Sequence, residues 1–115
     1  MLPEAMDMEQ SGSLVTVYVR QTELTHTDLQ TAVDECSERM RYSNAMNFIF
    51  DLEGVEFLAS ACLGVLVTFL QDVEHCRGRI ALANCGDNVA LLFKVTRLDT
   101  VFLMCEDAKV AAASF

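Results

Sequence analysis

Basic residues are scarce in this chain, and the shortage limits what it can bind. Its 115 residues carry seventeen acidic side chains against eight basic ones, a net charge of -9 and a pI near 4.4. Such a surface repels phosphate backbones and anionic lipid headgroups, which argues against nucleic acid as a partner. Paired cysteines are missing too. Cys36, Cys62, Cys76, Cys85 and Cys105 form an odd set without a C-x-x-C spacing, and no hydrophobic signal region precedes them. Reduced thiols in a cytoplasm are the expected state.

Long hydrophobic runs are also absent. The most apolar stretch, Leu58 to Leu70, falls short of the roughly 20 residues that cross a bilayer, and Gln71, Asp72 and Glu74 follow it. Direct membrane insertion is not expected. Gly54, Gly64, Gly78 and Gly86 lie too far apart to build a phosphate-binding loop of the P-loop or dinucleotide type. His26 and His75 are widely separated, so a metal site would need a chance convergence in space, and no metal or cofactor is expected.

What is present is an alternation of strand and helix patterns. Ser11-Gly12-Ser13 supplies a turn before a β-branched run that predicts a strand over 14–20, paired with a frayed strand near 4–9. Leu29, Ala32, Val33, Cys36 and Met40 recur at helical spacing after Thr27-Asp28-Leu29-Gln30, a capping-box start. A strand near 47–52 runs through Glu53-Gly54 into a loop, then a helix over 60–76. A strand over 79–83, a short helix capped by Asp87, a strand over 100–104 and a final turn or two of helix near 107–112 complete the chain. The expectation is one α/β domain over 1–115, with residues 1–10 as a frayed first strand.

The 60–76 helix carries two apolar stripes. Leu63, Leu66, Val67, Leu70 and Val73 suit a sheet-facing core, each large side chain worth on the order of 1.5 to 3 kcal/mol when buried. Cys62, Val65 and Phe69 form the second stripe, which either is covered within the fold or meets a partner, a second copy included. Cys62 in the first turn reads chiefly as a small buried hydrophobe, with a dipole-activated thiolate as the other reading. Ser60, Asp72 and His75 supply the residue types of a hydrolase, but the G-x-S-x-G elbow is absent. Ser60 itself reads first as a helix N-cap and second as a modified side chain.

The run Phe50-Asp51-Leu52-Glu53-Gly54-Val55-Glu56-Phe57-Leu58-Ala59-Ser60-Ala61-Cys62-Leu63-Gly64-Val65-Leu66 resembles the STAS domain signature, in which a strand is followed by D-L-x-x-V-x-F-[ML]-D-S-[SA]-G-L-G-x-L. Glu23-Leu24-Thr25 is similar to the E-L-D before the family's first helix, and the likeness continues from Arg79 to Phe102. The resemblance implies a mixed sheet of about 4–5 strands with about 4 helices packed mainly on one face. Gly64 is expected to mark close packing of helix on sheet.

The family includes bacterial anti-sigma-factor antagonists, and the resemblance places Ser60 at the serine that a partner kinase phosphorylates. It implies a docking surface of Glu23, Thr25, Glu56, Phe57, Leu58, Ala59, Ser60, Ala61, Cys62 and Val65. Implied partners are an anti-sigma factor or a serine kinase of GHKL type, together with a phosphatase. Catalysis is not implied. Departures occur where Ala59 replaces the family's aspartate, Ala61 its second serine, Cys62 its glycine and Thr25 the aspartate of E-L-D. They leave open a second role, as a constitutive scaffold or as an accessory subunit of a stress-signalling assembly or lipid transporter.

Overall fold

The computed structural model describes residues 2–115. Strand β2 (Leu14–Val19) buries Val15, Val17 and Val19 on one face and leaves Thr16 and Tyr18 half-buried on the other. The two-residue period predicts that alternation. β1 (Met6–Ser11) pairs antiparallel with it along its whole length, from Met6 opposite Val19 to Ser11 opposite Leu14, so the first strand is fully paired instead of frayed. Parallel strands β4 (Asn47–Asp51), β6 (Ile80–Ala83) and β7 (Leu103–Cys105) complete a five-stranded mixed sheet in the order β1-β2-β4-β6-β7.

Both faces of the parallel part are covered, which is why β6 is buried at every position. Helices α1 (His26–Tyr42), α2 (Ala61–His75) and α3 (Asp87–Val95) pack on the face that carries Val17, Phe48, Phe50 and Leu82. Among the described residues only α4 (Ala108–Ala113) lies behind the sheet, with Ala111 against Ile49, Ala81 and Ala83. The α2 core stripe is Cys62, Leu66, Phe69, Leu70 and Val73. It draws on both stripes read from the sequence, and Leu63 and Val67 are left half-buried.

Helix starts differ from the sequence pattern in instructive ways. The α1 cap is Thr25, whose hydroxyl accepts from the Asp28 amide at 3.2 Å, while Gln30 donates forward to Asp34 instead of back to Thr27. Gly86 occupies the α3 cap position, so Asp87 sits inside the first turn, where its charge still faces the positive helix end. Asp107 does cap α4, accepting from the Val110 amide at 2.9 Å. Residues 98–100 form a 3-10 turn ahead of β7, which delays that strand to 103–105.

Gly64 departs most from expectation. A Cβ there would meet nothing within 4 Å, so close packing of helix on sheet does not require it. The crowded glycines are Gly54, against the Arg20 carbonyl, and Gly78, against the Met46 carbonyl.

Burial also sets the acid–base behaviour of two thiols. It pushes Cys36 up to about 12 from 9.0, and it pushes Cys85 up to about 11, with help from the nearby Asp51 charge. Unfolded thiols ionise near the ordinary value, so above about pH 9 the unfolded chain sheds protons that the folded chain retains. Stability therefore falls as pH rises from about 9 toward 11, by up to about 1.4 kcal/mol per pH unit for each thiol. Urea melts at pH 8 and pH 10.5 should show that fall. The Cys36→Ala/Cys85→Ala double variant should show a shallower one.

Candidate functional site

The loop from β4 to α2 is fixed at both ends. Asp51 is the buried charged side chain among the described residues, and its Oδ1 accepts from the Glu53 amide and from Asn84 Nδ2, each at 3.1 Å. The Leu52 amide donates to the Ala83 carbonyl at 2.9 Å, so the loop leaves the sheet tied to the end of β6. Gly54 then passes so close to Arg20 that a Cβ would lie 2.7 Å from its carbonyl oxygen.

A second, two-stranded sheet holds the far end of the loop. β3 (Glu23–Leu24) pairs in parallel with β5 (Phe57–Leu58), with Glu23 opposite Phe57 and Leu24 opposite Leu58. The Glu56 and Phe57 amides donate to the Thr22 carbonyl at 2.8 and 3.0 Å, and the Ala59 amide donates to the Leu24 carbonyl at 3.2 Å. These bonds bring Glu23 and Thr25 beside the entry to α2, so residues far apart in sequence share one surface.

Ser60 stands at that entry with helical φ and ψ of -56° and -33°. An N-cap serine normally has extended backbone, which aims its oxygen at the free amides of the first turn. Ser60 has already turned, so its side chain caps nothing and makes no hydrogen bond among the described residues. It is exposed. The first-turn bonds instead come from backbone, with the Cys62 amide on the Ala59 carbonyl at 2.8 Å and the Leu63 amide on the Ser60 carbonyl at 3.1 Å.

Around this hydroxyl, Glu23, Thr25, Glu56 and Ala61 are exposed, Leu58, Ala59 and Val65 are half-buried, and the Phe57 ring is 55% exposed. Cys62 must be removed from the expected docking surface. It has no exposed area, and its Sγ donates to the Leu24 carbonyl at 3.4 Å. Helix phase is the reason: the face of α2 that meets β3 and the sheet includes position 62, as it includes Phe69. Self-association through Cys62, Val65 and Phe69 therefore has only half-buried Val65 to offer.

The nucleophile readings also fail on geometry. Burial raises the Cys62 thiol, outweighing the lowering effect of its bond to Ala59, which disfavours a thiolate at the helix end. Ser60 and His75 stand at opposite ends of α2, roughly 22 Å apart at 1.5 Å per residue, so no triad forms with Asp72. Among the described residues no group of three His, Cys, Asp or Glu side chains is placed to hold a metal. Among the described residues no helix is long and apolar enough to cross a membrane.

Sequence reading missed the β3–β5 ladder, the Thr22 carbonyl and Asn84. Only Asn84 leaves a trace in the sequence, as a residue tolerant of positive φ directly after a strand; its φ is 56°.

The STAS domain model matches residues 5–111. Among solved structures, the anti-sigma factor antagonist SpoIIAA in its unphosphorylated form is 18% identical with a TM-score of 0.76, over 96% of each chain. The phosphorylated form of SpoIIAA, described as a Bacillus cell fate determinant, is 19% identical with a TM-score of 0.76, over 96% of this chain and 98% of that one. An anti-sigma factor antagonist from Mycobacterium paratuberculosis is 18% identical with a TM-score of 0.79, over 99% of this chain and 97% of that one. At these identities the solved structures establish a shared fold. A search of curated protein sequences finds no match.

Proposed function

This chain belongs to the STAS domain family, and from that premise we propose that it is a protein-binding switch of the anti-sigma-factor-antagonist type, working in the cytoplasm and set by phosphorylation of Ser60. One observation carries the reading: the Ser60 hydroxyl is exposed, bonded to nothing among the described residues, and mounted on a loop held by backbone hydrogen bonds. A kinase can reach such an oxygen without unfolding the domain. The fold loses no cap when the oxygen is modified.

The physics of the switch is local. Phosphorylation adds about -1.5 to -2 charge and three acceptor oxygens, which the N-terminal end of α2 tolerates. A partner surface shaped for a neutral hydroxyl must accommodate and desolvate that charge, and it loses the contact. The proposed partners are an anti-sigma factor or a GHKL-type serine kinase, with a phosphatase to reset the site. The proposed contact surface is Glu23, Thr25, Glu56, Phe57, Leu58, Ala59, Ser60, Ala61 and Val65, with Phe57 as its large apolar anchor.

Protein isolated from its native cells should carry a phosphoryl group, seen by intact-mass analysis, that Ser60→Ala abolishes. The Ser60→Glu variant should bind the anti-sigma factor or kinase recovered with the wild type about 100-fold more weakly, a difference of about 2.7 kcal/mol. An unmodified population under every growth condition, with equal binding by the two variants, defeats the proposal. Ala59 favours a second reading, constitutive docking in a scaffold or transporter assembly, because no carboxylate stands beside the serine to assist a kinase. That reading predicts the unmodified outcome.

A further inference from the structure

The outer side of α2 carries a feature that the fold does not explain. Glycine inside a helix costs up to about 1 kcal/mol relative to alanine. At Gly64 nothing in the molecule requires it, since an added Cβ would meet open space. What the missing side chain does is deepen a groove of about 410 Å³ between α1 and α2. Val33 and Phe69 form its buried floor, half-buried Val65 is its accessible apolar side chain, and Asp34 on α1 and Asp72 on α2 are its charged residues.

Three properties of this groove select an occupant. From Ser60 to Gln71 the chain has no charged residue, so the α2 wall is neutral until Asp72. Neither Asp34 nor Asp72 is in a salt bridge among the described residues, although Asp34 accepts from Gln30 Nε2 at 2.8 Å. Among the described residues no lysine or arginine lines the groove. From Ala61 to Asp72 it offers roughly 16 Å of helix, about three turns. A trough of that length, lined by Gln30, Ser37 and Thr68 beside Val65 and bearing a carboxylate on each helix, complements a helix that presents lysine or arginine along one face.

We propose that the α1–α2 groove receives a cationic helix of the protein partner, lying alongside Gly64 with its basic side chains on Asp34 and Asp72. This inference rests on the partner-binding reading of the Ser60 surface, which it extends along α2 through Ala61 and Val65. It also gives Gly64 a function: without a side chain there, the partner helix comes closer to the α2 axis.

Photo-crosslinking with the full chain in native cells tests it, with a benzophenone amino acid placed at Thr68 in the groove and, in a second strain, at Phe57 on the Ser60 surface. The expected result is a Thr68 adduct to another protein through a peptide containing lysine or arginine. Asp34→Lys combined with Asp72→Lys should cut that adduct at least tenfold while leaving the melting temperature of these exposed-site variants near wild type. A Phe57 adduct without a Thr68 adduct overturns the groove proposal and leaves the Ser60 surface standing. Loss of both adducts overturns both. A Thr68 adduct to a second copy of this chain, or one indifferent to charge reversal, also overturns the cationic-helix proposal.

Discussion

Gly78→Ala is expected to destabilise the domain by about 3 kcal/mol or more. A Cβ on residue 78 would lie 1.9 Å from the Met46 carbonyl oxygen and 2.8 Å from Val73 Cγ1. The nearer obstacle is backbone at the entrance to β4, so the clash cannot be relieved by a rotamer change. Either the C-terminal end of α2 lifts away from the sheet, or β4 shifts against β6, where the Phe48 amide bonds to the Arg79 carbonyl at 3.0 Å. Both movements disturb the buried Phe48 and Val73 side chains. Urea denaturation should show a large fall in midpoint.

The backbone around Gly78 sharpens that expectation. The Gly78 amide reaches the Val73 carbonyl at 2.8 Å and the Arg77 amide reaches the Glu74 carbonyl at 2.9 Å, the paired bonds of a Schellman end. In that motif glycine usually takes the left-handed position, but here Arg77 does, with φ of 64°, and glycine follows one place later. Close approach, and not φ, fixes residue 78. Gly64→Ala is the internal control: with no neighbour to meet, it should raise stability by about 0.5 to 1 kcal/mol through helix propensity alone. A Gly78→Ala variant as stable as wild type would mean that helix and strand do not meet as described.

These two glycines show where the sequence was legible. Strand β2, the α1 periodicity and the strand-loop-helix motif around Ser60 follow from local pattern, because each side chain's face is set by a period of two or 3.6. Gly64 was misread because a glycine's purpose depends on what stands opposite it. The α2 stripes were ambiguous for a related reason. A helix with apolar residues around most of its circumference does not announce which face meets the sheet, and the packing chose Cys62 and Phe69 over Leu63 and Val67.

The candidate site was legible as a location and not as a mechanism of support. Ser60, Phe57 and Glu56 lie together in the sequence. Their rigidity comes from Thr22, Leu24 and Asn84, whose contributions are two carbonyls and one side chain supplied across the fold. A two-residue ladder such as β3–β5 has too little pattern to be seen in advance, and it forms because Leu24 is fully buried and its neighbours are drawn in with it. The proposed switch would benefit from that construction. Under that proposal the Ser60 oxygen would change its charge while the backbone bonds of the loop beneath it stay in place.

Phe69→Ala is expected to cost about 3 to 5 kcal/mol, a large share of the roughly 5 to 15 kcal/mol that holds a domain together. The Phe69 ring is 1% exposed and lies edge-on to Phe48, with centroids 5.0 Å apart, and to Phe50, at 6.2 Å. Truncation removes its apolar area, both aromatic contacts and the support of a side chain that also lines the α1–α2 groove. Thermal and urea melts should both register the loss, while Phe69→Leu, which keeps more of the volume but loses both aromatic contacts, should cost distinctly less than Phe69→Ala. The pair also separates stability from recognition. Under the proposed phosphorylation of Ser60, folded Phe69→Leu protein should be modified to the same extent as wild type, because that residue is held by the β3–β5 side of the loop, whereas a cost below 1 kcal/mol for Phe69→Ala would show that the three rings do not form the packed centre on which α2 rests.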